Sequence, residues 1–276
     1  MDPDPRLRHR LEQSYDEFGP VEEEFGAALD ESLEPQSPEL LYELVAGLEL
    51  PERALVVDVG CGEGRHSYRL AERFGFSVLG IDPVPRQVEV ATAGLEALDG
   101  DVARRIRFTL GAAEALPVED RVADLVWCRD VLVHGADLER AYAEFRRVLR
   151  DGGRALVYQM FGTDRLEPRE AEWLWRTLGV VGGSADPART EAAIAAAGLH
   201  VEERLDLGSE WGEWSQERSG AVGRRLLHTA RLLRDPERYR SRFSEPAYEI
   251  MLGDCLWQVY AMIDKLERRA YLLTKA

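Results

Sequence analysis

Three closely spaced glycines follow a short apolar run in the first quarter of the chain. Residues 54–59 (ALVVDV) are apolar and mostly β-branched, and Gly60, Gly62 and Gly64 come directly after them. Such a run is typical of a parallel strand that is covered on both faces. Glycine lets a backbone turn tightly and approach a ligand, and the helix predicted over residues 65–74 would point its N-terminal amides at the same place. The pattern predicts a nucleotide-like ligand, with an ordinary glycine-rich turn as the alternative.

Two carboxylates flank this loop. Asp58 closes the first strand, where it can reach a cationic amino group beside the glycines. Asp82 closes the next apolar run 24 residues later, near the spacing at which an acid meets ribose hydroxyls in nucleotide-binding βαβ units, and it can also cap the following helix. A dinucleotide fingerprint needs glycine at position 65, where this chain has Arg65. We therefore expect S-adenosyl-L-methionine (SAM) rather than NAD.

From about residue 40 to 160 the chain resembles the class I SAM-dependent methyltransferases, and within them the small-molecule group called methyltransferase-11 or UbiE-like. The resemblance rests on four motifs in the family's order, which are DVGCGEG, GID at 80–82, GAAEALPVEDRVADLVWCRDVLVH at 111–134 and FRRVLRDGGRALVY at 145–158. One position departs from the pattern. The family usually has an acid that binds the adenine amino group where Ala112 stands, so adenine recognition would depend on Ala113 and Glu114.

The resemblance implies a set of cofactor-binding residues. These are Tyr15, Asp58, Gly60, Cys61, Gly62, Asp82, Pro83, Ala113, Glu114 and Arg129. Tyr15 would close over the SAM carboxylate, with simple packing as its alternative role. Arg129 would meet that carboxylate or a substrate anion, unless it is only a solvated arginine at the end of a strand.

Candidates for catalysis and acceptor binding follow the fourth and fifth predicted strands. Methyl transfer is an in-line displacement, so alignment and exclusion of water carry much of the rate and a general base is optional. His134 is the first candidate for a base because imidazole titrates near neutral pH, although it could equally be a hydrogen-bonded loop residue. Asp130 would orient the substrate or cap a helix. We expect Tyr158 at the end of the fifth strand and the lid tryptophans to contact the acceptor; the latter are Trp211 and Trp214.

Composition indicates a soluble enzyme with a small-molecule partner. The formal net charge of −16 argues against a nucleic-acid substrate, although a basic stripe at 224–240 stays open. No apolar stretch approaches the roughly 20 residues of a membrane helix, and MDPDPRLRHR has no apolar signal core. We expect a cytoplasmic protein without a membrane partner. The sequence does not decide whether the protein forms a homodimer. The three cysteines fit neither a disulfide framework nor a zinc motif, and the five histidines form no ligand-spaced cluster, so we expect no metal.

Strand and helix patterns alternate along the chain, which predicts an α/β fold with a doubly wound, Rossmann-like sheet. The resemblance implies seven strands with the last one antiparallel. We predict an N-terminal helical lid segment over 1–35 and a SAM-binding core over 36–160. The remainder of the sheet, over 161–276, would carry helical substrate-lid insertions at about 165–198 and 212–266.

The sequence thus predicts a methyltransferase that methylates an oxygen or nitrogen atom of a small metabolite. A SAM-binding protein that senses or scaffolds without turnover is the alternative, because Ala112 replaces the usual acid and no base is unmistakable. An NAD-linked oxidoreductase is disfavoured by Arg65.

Overall fold

Two short helices form the N-terminal part of the molecule. The computed structural model describes residues 5–275, and these divide into two compact units, one ending at Pro35 and the other beginning at Gln36. The first unit contains helices α1 (Pro5–Phe18) and α2 (Glu22–Asp30). The second unit carries the sheet.

Seven strands form a single sheet in the second unit. In chain order they are β1 (Leu55–Val59), β2 (Ser77–Asp82), β3 (Ile106–Leu110), β4 (Ala123–Arg129), β5 (Leu149–Gly162), β6 (Leu199–Asp206) and β7 (Leu266–Lys275). In space the order is β3-β2-β1-β4-β5-β7-β6. The first five strands are parallel, and β7 runs antiparallel to both of its neighbours. The predicted doubly wound sheet with an antiparallel last strand is confirmed.

Helices cover both faces of this sheet. They are α3 (Leu40–Gly47), α4 (Arg65–Phe74), α5 (Pro85–Gly94), α6 (Gly100–Ala103), α7 (Leu138–Val148), α8 (Pro168–Leu178) and α9 (Pro187–Ala196). Successive strand residues point to opposite faces, so Val56 belongs to one core cluster and the adjacent Val57 to the other. This explains why the central strands are apolar without alternation.

Two helix boundaries differ from those that the sequence predicts. The pair Ser37 and Pro38 is typical of a capped helix that starts at Pro38, but α3 begins at Leu40, because the Ser37 hydroxyl accepts the Glu39 N–H in a preceding turn. The apolar spacing over 138–150 predicts a helix capped by Asp137. This helix ends at Val148, since the chain passes directly into β5, and the Asp137 side chain does accept the Arg140 N–H.

Four further helices lie between β6 and β7. They are α10 (Glu210–Ser219), α11 (Ala221–Arg234), α12 (Pro236–Phe243) and α13 (Glu245–Met262). Helix α10 approaches α13 so closely that a Cβ on Gly212 would lie 2.2 Å from the Met262 sulfur. Lys265, just after α13, forms an ion pair with Glu170 of α8. We call these four helices the helical insertion. Trp211 of α10 and Ala261 of α13 belong to the same core cluster as Tyr158 of β5, so these two helices pack against the sheet. None of the helices within residues 5–275 is both long and apolar enough to cross a membrane.

Candidate active site

The predicted ligand-binding residues between Asp58 and Arg129 lie at the carboxyl edge of the parallel strands. β1 pairs with β2 on one side and with β4 on the other, so the strand order reverses between β1 and β4. Open α/β sheets bind ligands in the crevice outside such a switch point. The glycine loop follows β1 there, Arg129 is the last residue of β4, and Asp130 comes directly after it.

The glycine loop is held in shape by backbone hydrogen bonds. Gly60 and Cys61 both donate their N–H groups to the Ile81 carbonyl, at 2.7 and 3.1 Å, and Gly64 donates to the Cys61 carbonyl at 2.9 Å. All three glycines have positive φ angles, of +72°, +52° and +83° for Gly60, Gly62 and Gly64. This left-handed backbone is the conformation that favours glycine.

The three glycines meet different surroundings. A Cβ on Gly60 would lie 2.2 Å from a Val131 methyl carbon, and one on Gly64 would lie 2.7 Å from the Phe108 ring, so both are needed for packing. A Cβ on Gly62 would meet no atom of the described residues within 4 Å. Gly62 therefore borders open space, where a ligand can approach its backbone.

Asp82 ties this loop to the end of β2. One carboxylate oxygen accepts the Gly62 N–H and the other accepts the Val84 N–H, both at 2.9 Å. Two carboxylate oxygens together offer about four acceptor sites, so two remain for ribose hydroxyls. Both predicted roles, ligand binding and capping of the next segment, are compatible with this geometry. Pro83, beside it, is exposed.

Asp58 is buried and turned toward α4. Its carboxylate accepts the Ser67 hydroxyl at 2.5 Å, and only 2% of the residue is exposed. Burial, opposed by the Ser67 hydrogen bond, raises the pKa of Asp58 from 3.8 to about 7. Asp58 thereby fixes the start of α4, and its contact with a cofactor amino group stays a prediction.

The segment after β3 forms the other wall expected for the adenine. Ala112 and Ala115 are bridged in a tight turn that holds Ala113 and Glu114, both half-buried. Arg140 donates to the Glu114 carbonyl at 2.8 Å, which fixes the turn to α7. An adenine contact by Ala113 or Glu114 remains a prediction.

An interaction that the sequence pattern did not predict lies at the start of α4. The two ring nitrogens of His66 are each 2.6 Å from a partner, the Tyr42 hydroxyl and Arg129 Nη1. Arginine can only donate, so His66 accepts at Nε2 and carries its proton at Nδ1. Burial and the nearby Arg129, Arg65 and Arg69 charges lower the pKa of His66 to about 3, which keeps the imidazole neutral. The sequence feature that could have drawn attention to His66 is its position two residues after Gly64.

Beside this pair lies a cavity of about 430 Å³ between the sheet edge and the helical insertion. Its lining comes mainly from β4, β5, β7, α10 and α13, with His66 of α4 and Val222 of α11. The lining includes Arg129, Asp130, Tyr158, Trp211, Trp214 and Arg268. The first five of these were predicted as site residues, and the structure brings them together. Arg268, Met160, Trp257 and Gln258 also line it and were missed. We call this space the acceptor cavity.

Aromatic stacking forms one wall of the acceptor cavity. The rings of Tyr158 and Trp211 are stacked, with centroids 4.6 Å apart and planes 12° apart. The guanidinium of Arg129 lies 5.6 and 5.7 Å from the centroids of these two rings. Trp257 donates its indole N–H to the Met160 sulfur at 2.8 Å, which anchors α13 to β5. Contacts within the protein therefore hold this wall in shape.

Asp130 is the acidic group of the acceptor cavity. It has a positive φ of +60°, and its N–H donates to the Tyr158 carbonyl at 2.8 Å. Its Oδ1 atom is buried and has no hydrogen-bond partner within the described residues. Burial, opposed by the charges of Arg129, His134 and Arg268, raises the pKa of Asp130. A strained, buried carboxylate with an unused oxygen is well placed to accept a proton.

His134 lies in a neighbouring cavity of about 280 Å³. This second cavity shares Asp130, Trp257 and Gln258 with the acceptor cavity. His134 Nδ1 is 2.9 Å from the Gly179 carbonyl, which can only accept, so the proton sits on Nδ1 and Nε2 remains free to act as a base. Its predicted catalytic role is compatible with this tautomer.

Tyr15 lies on α1 in the N-terminal unit, and its side chain is largely exposed. Its predicted contact with the cofactor carboxylate remains a prediction.

The residues present at the glycine loop fit SAM. The open space at Gly62 lets a ligand approach the protein backbone closely, and Asp82 keeps acceptor sites for ribose hydroxyls. Arg129, at the cavity, offers a guanidinium that suits the carboxylate of SAM.

Comparisons with known proteins identify the central part of the chain. Residues 57–157 match the family model described as a methyltransferase domain. An uncharacterized methyltransferase of Mycobacterium tuberculosis (strain H37Rv) is 36% identical over 140 residues, which are 50% of this chain and 51% of that protein. The 27-O-demethylrifamycin SV methyltransferase of Amycolatopsis mediterranei is 37% identical over 116 residues, covering 41% and 42%. The chain spans about half the length, or less, of these curated relatives.

Solved structures share the fold over most of the chain. The [4+2]-cyclase SpnF superposes with a TM-score of 0.67 at 21% identity, covering 96% of this chain and 95% of its own. A geranyl diphosphate methyltransferase in complex with SAM gives a TM-score of 0.65 at 16% identity, covering 86% and 84%. At these identities the similarity establishes the fold.

Proposed function

We propose that this chain, which belongs to the class I SAM-dependent methyltransferases by its fold and its matched domain, methylates an oxygen or nitrogen atom of a small-molecule metabolite. SAM is the cofactor of this domain. One observation carries the proposal. The open space at Gly62 and the acceptor cavity flank the same switch point between β1 and β4, so a cofactor and an acceptor would meet there.

SAM supplies an electrophilic methyl group on a sulfonium, and the protein has to align an acceptor atom with it. The glycine loop and Asp82 would fix the cofactor, while the stacked Tyr158 and Trp211 would hold the acceptor and exclude water. A hydroxyl or amine loses a proton when it is methylated. Asp130 Oδ1 would accept that proton, with His134 Nε2 as the second base.

An oxygen or nitrogen acceptor is favoured because both proton acceptors border the cavities next to the cofactor loop. The relative from Amycolatopsis mediterranei is named for an O-methylation, which agrees with this choice. The acidic net charge of −16 and the limited size of the cavity, about 430 Å³, favour a small acceptor over a nucleic acid.

A second candidate function is SAM binding without methyl transfer. Ala112 lacks the acid that the family uses for adenine, and the neighbour that covers 95% or more of both chains is named a [4+2]-cyclase. The same fold therefore serves a protein named for another reaction.

The test is incubation of the purified protein with methyl-labelled SAM and fractionated extract of its source organism. Label is followed by mass spectrometry into small-molecule and macromolecular fractions. We expect label in a small molecule, on oxygen or nitrogen. Label on carbon would overturn the acceptor atom, and label only in macromolecules would overturn the acceptor class. SAM binding with no transferred label would favour the second candidate.

A further inference from the structure

Arg268 is a buried cation at the wall of the acceptor cavity. It lies on β7 and is only 4% exposed, yet it lines the cavity. Its Nη1 donates to the Gly208 carbonyl at 3.1 Å. A guanidinium carries five N–H donors, so several remain available.

No carboxylate within residues 5–275 lies within ion-pair distance of the Arg268 guanidinium. Arg269, the next residue on the same strand, forms ion pairs with Glu191, Asp206 and Glu267 on the other side of the sheet. Within residues 5–275, Arg268 forms no such pair, and Asp130 across the cavity reaches it only electrostatically. Burying an unpaired charge is expensive, so a buried arginine beside a cavity indicates an anion that is supplied from outside the chain.

Two further polar atoms at the cavity lack partners. The Trp211 indole N–H and Asp130 Oδ1 are both buried without a hydrogen bond within the described residues. Buried polar groups are almost always paired, so these two indicate groups that a ligand would contribute. Aromatic rings also contribute to the lining, because Tyr158, Trp211 and Trp257 face the cavity beside these polar groups.

Arg129, the other guanidinium of the cavity, is placed differently. It is the last residue of β4, donates to neutral His66 and lies beside β1, the strand that leads into the glycine loop. That position suits the carboxylate of the cofactor. Arg268 lies across the cavity on β7, two strands from β4, and is left for the acceptor.

We propose that the methyl acceptor is a small molecule with an aromatic ring and an acidic group, a carboxylate or a phosphate, which pairs with Arg268. The body of the acceptor stacks against the aromatic wall, and its hydroxyl or amine faces Asp130. This assignment rests on the proposed function, since it names the substrate class of the same cavity. Bidentate pairing with arginine suits both carboxylate and phosphate, and it orients the molecule as well as binding it.

The test compares matched acidic and neutral probes on protein saturated with S-adenosylhomocysteine, the demethylated cofactor. The carboxylate pair is 4-hydroxybenzoate and 4-hydroxybenzamide, and the phosphate pair is phenyl phosphate and phenol. Quenching of tryptophan fluorescence reports binding, because Trp211, Trp214 and Trp257 line the cavity. We expect one acid to bind at least about tenfold more tightly than its neutral partner, and the pair that does so identifies the acidic group.

Variants then assign the preference to Arg268. Arg268→Gln should abolish the preference, and Arg268→Lys should keep part of it, because the charge stays while the bidentate geometry is lost. Arg204→Gln is the matched control, since Arg204 lies on the adjacent strand β6 and is exposed outside the cavity. Unchanged cofactor affinity in each variant establishes that it is folded.

The inference is overturned if neither acid binds more tightly than its neutral partner in the wild-type protein, or if the preference survives in Arg268→Gln. If Arg268→Gln does not fold, the wild-type comparison and Arg268→Lys decide. Failure of the proposed function gives a different result, which is loss of cofactor binding or of label transfer while the acid preference persists.

Discussion

The cofactor end and the acceptor end of the candidate site are built in opposite ways. The proposed cofactor end is centred on residues 58–84, a short stretch held by backbone hydrogen bonds from Gly60, Cys61 and Gly62. The acceptor cavity draws side chains from three strands and several helices that are distant in sequence, and it is formed by side-chain packing. Changes in the first should alter cofactor affinity, and changes in the second should alter turnover and the choice of acceptor.

Gly62→Val should have the largest effect. Its Cβ would meet no atom of residues 5–275 within 4 Å, so the added side chain occupies the space that the cofactor needs. We expect affinity for S-adenosylhomocysteine to fall by roughly 100-fold or more, about 2.8 kcal/mol, in isothermal titration calorimetry.

Gly152→Val is the matched control for that prediction. Gly152 also has a positive φ, +80°, and open space around its missing Cβ, but it lies at the opposite end of β5. Both variants carry the same kind of backbone strain. Equal affinity losses in the two would mean that strain, and not a clash with the cofactor, explains the result.

Asp130→Asn tests the acceptor end. The amide cannot accept the acceptor's proton as a carboxylate does, so kcat should fall by about 100-fold, in the range typical of a lost general base. Cofactor affinity should stay within about threefold, because Asp130 lies across the switch point from the loop. Label transfer to the identified acceptor measures the first quantity and calorimetry the second. A large loss of cofactor affinity with normal kcat would reverse the assignment of Asp130 to this end.

Asp82→Ala returns to the cofactor end. It removes the acceptor of the Gly62 and Val84 N–H groups and the predicted ribose contact together. We expect cofactor affinity to fall by about 10- to 100-fold, as for lost hydrogen bonds to a charged group. Asp82→Asn, which keeps one acceptor oxygen, should lose less. Wild-type affinity in Asp82→Ala would contradict the loop assignment.

The cofactor end could be predicted from the sequence better than the acceptor cavity, because its residues are neighbours along the chain. The glycine loop, Asp58 and Asp82 are close in sequence, so spacing alone brought them together, and alternating patterns predicted the sheet. Arg268 was missed because it lies on β7, which follows the helical insertion. It lines the same cavity as Arg129 only after the chain has returned to the sheet. The pairing of His66 with Arg129 spans 63 residues and has no local signature. Long-range side-chain assembly leaves no period in a sequence.

His134→Ala should have a smaller effect than Asp130→Asn. His134 reaches the acceptor cavity only through the neighbouring cavity that shares Asp130, and its Nδ1 is engaged by Gly179. We expect turnover to fall by about tenfold with little change in cofactor affinity. His134→Gln, which retains a donor for the Gly179 carbonyl but no titratable group, separates positioning from proton transfer. Full activity in both variants would return His134 to a structural role.

The pH dependence of cofactor binding tests whether Asp58 belongs to the cofactor end as a ligand or only as an anchor for Ser67. Burial raises the pKa of Asp58 to about 7, so its carboxyl is ionised above that pH and protonated below it. If ionised Asp58 holds the cofactor ammonium, affinity for S-adenosylhomocysteine falls as pH falls through 7, by about tenfold between pH 8 and pH 6. Asp58→Asn should flatten this dependence. Equal wild-type affinity at both pH values would leave Asp58 as the anchor of α4 alone, and the cofactor end would then bind the ammonium through backbone carbonyls.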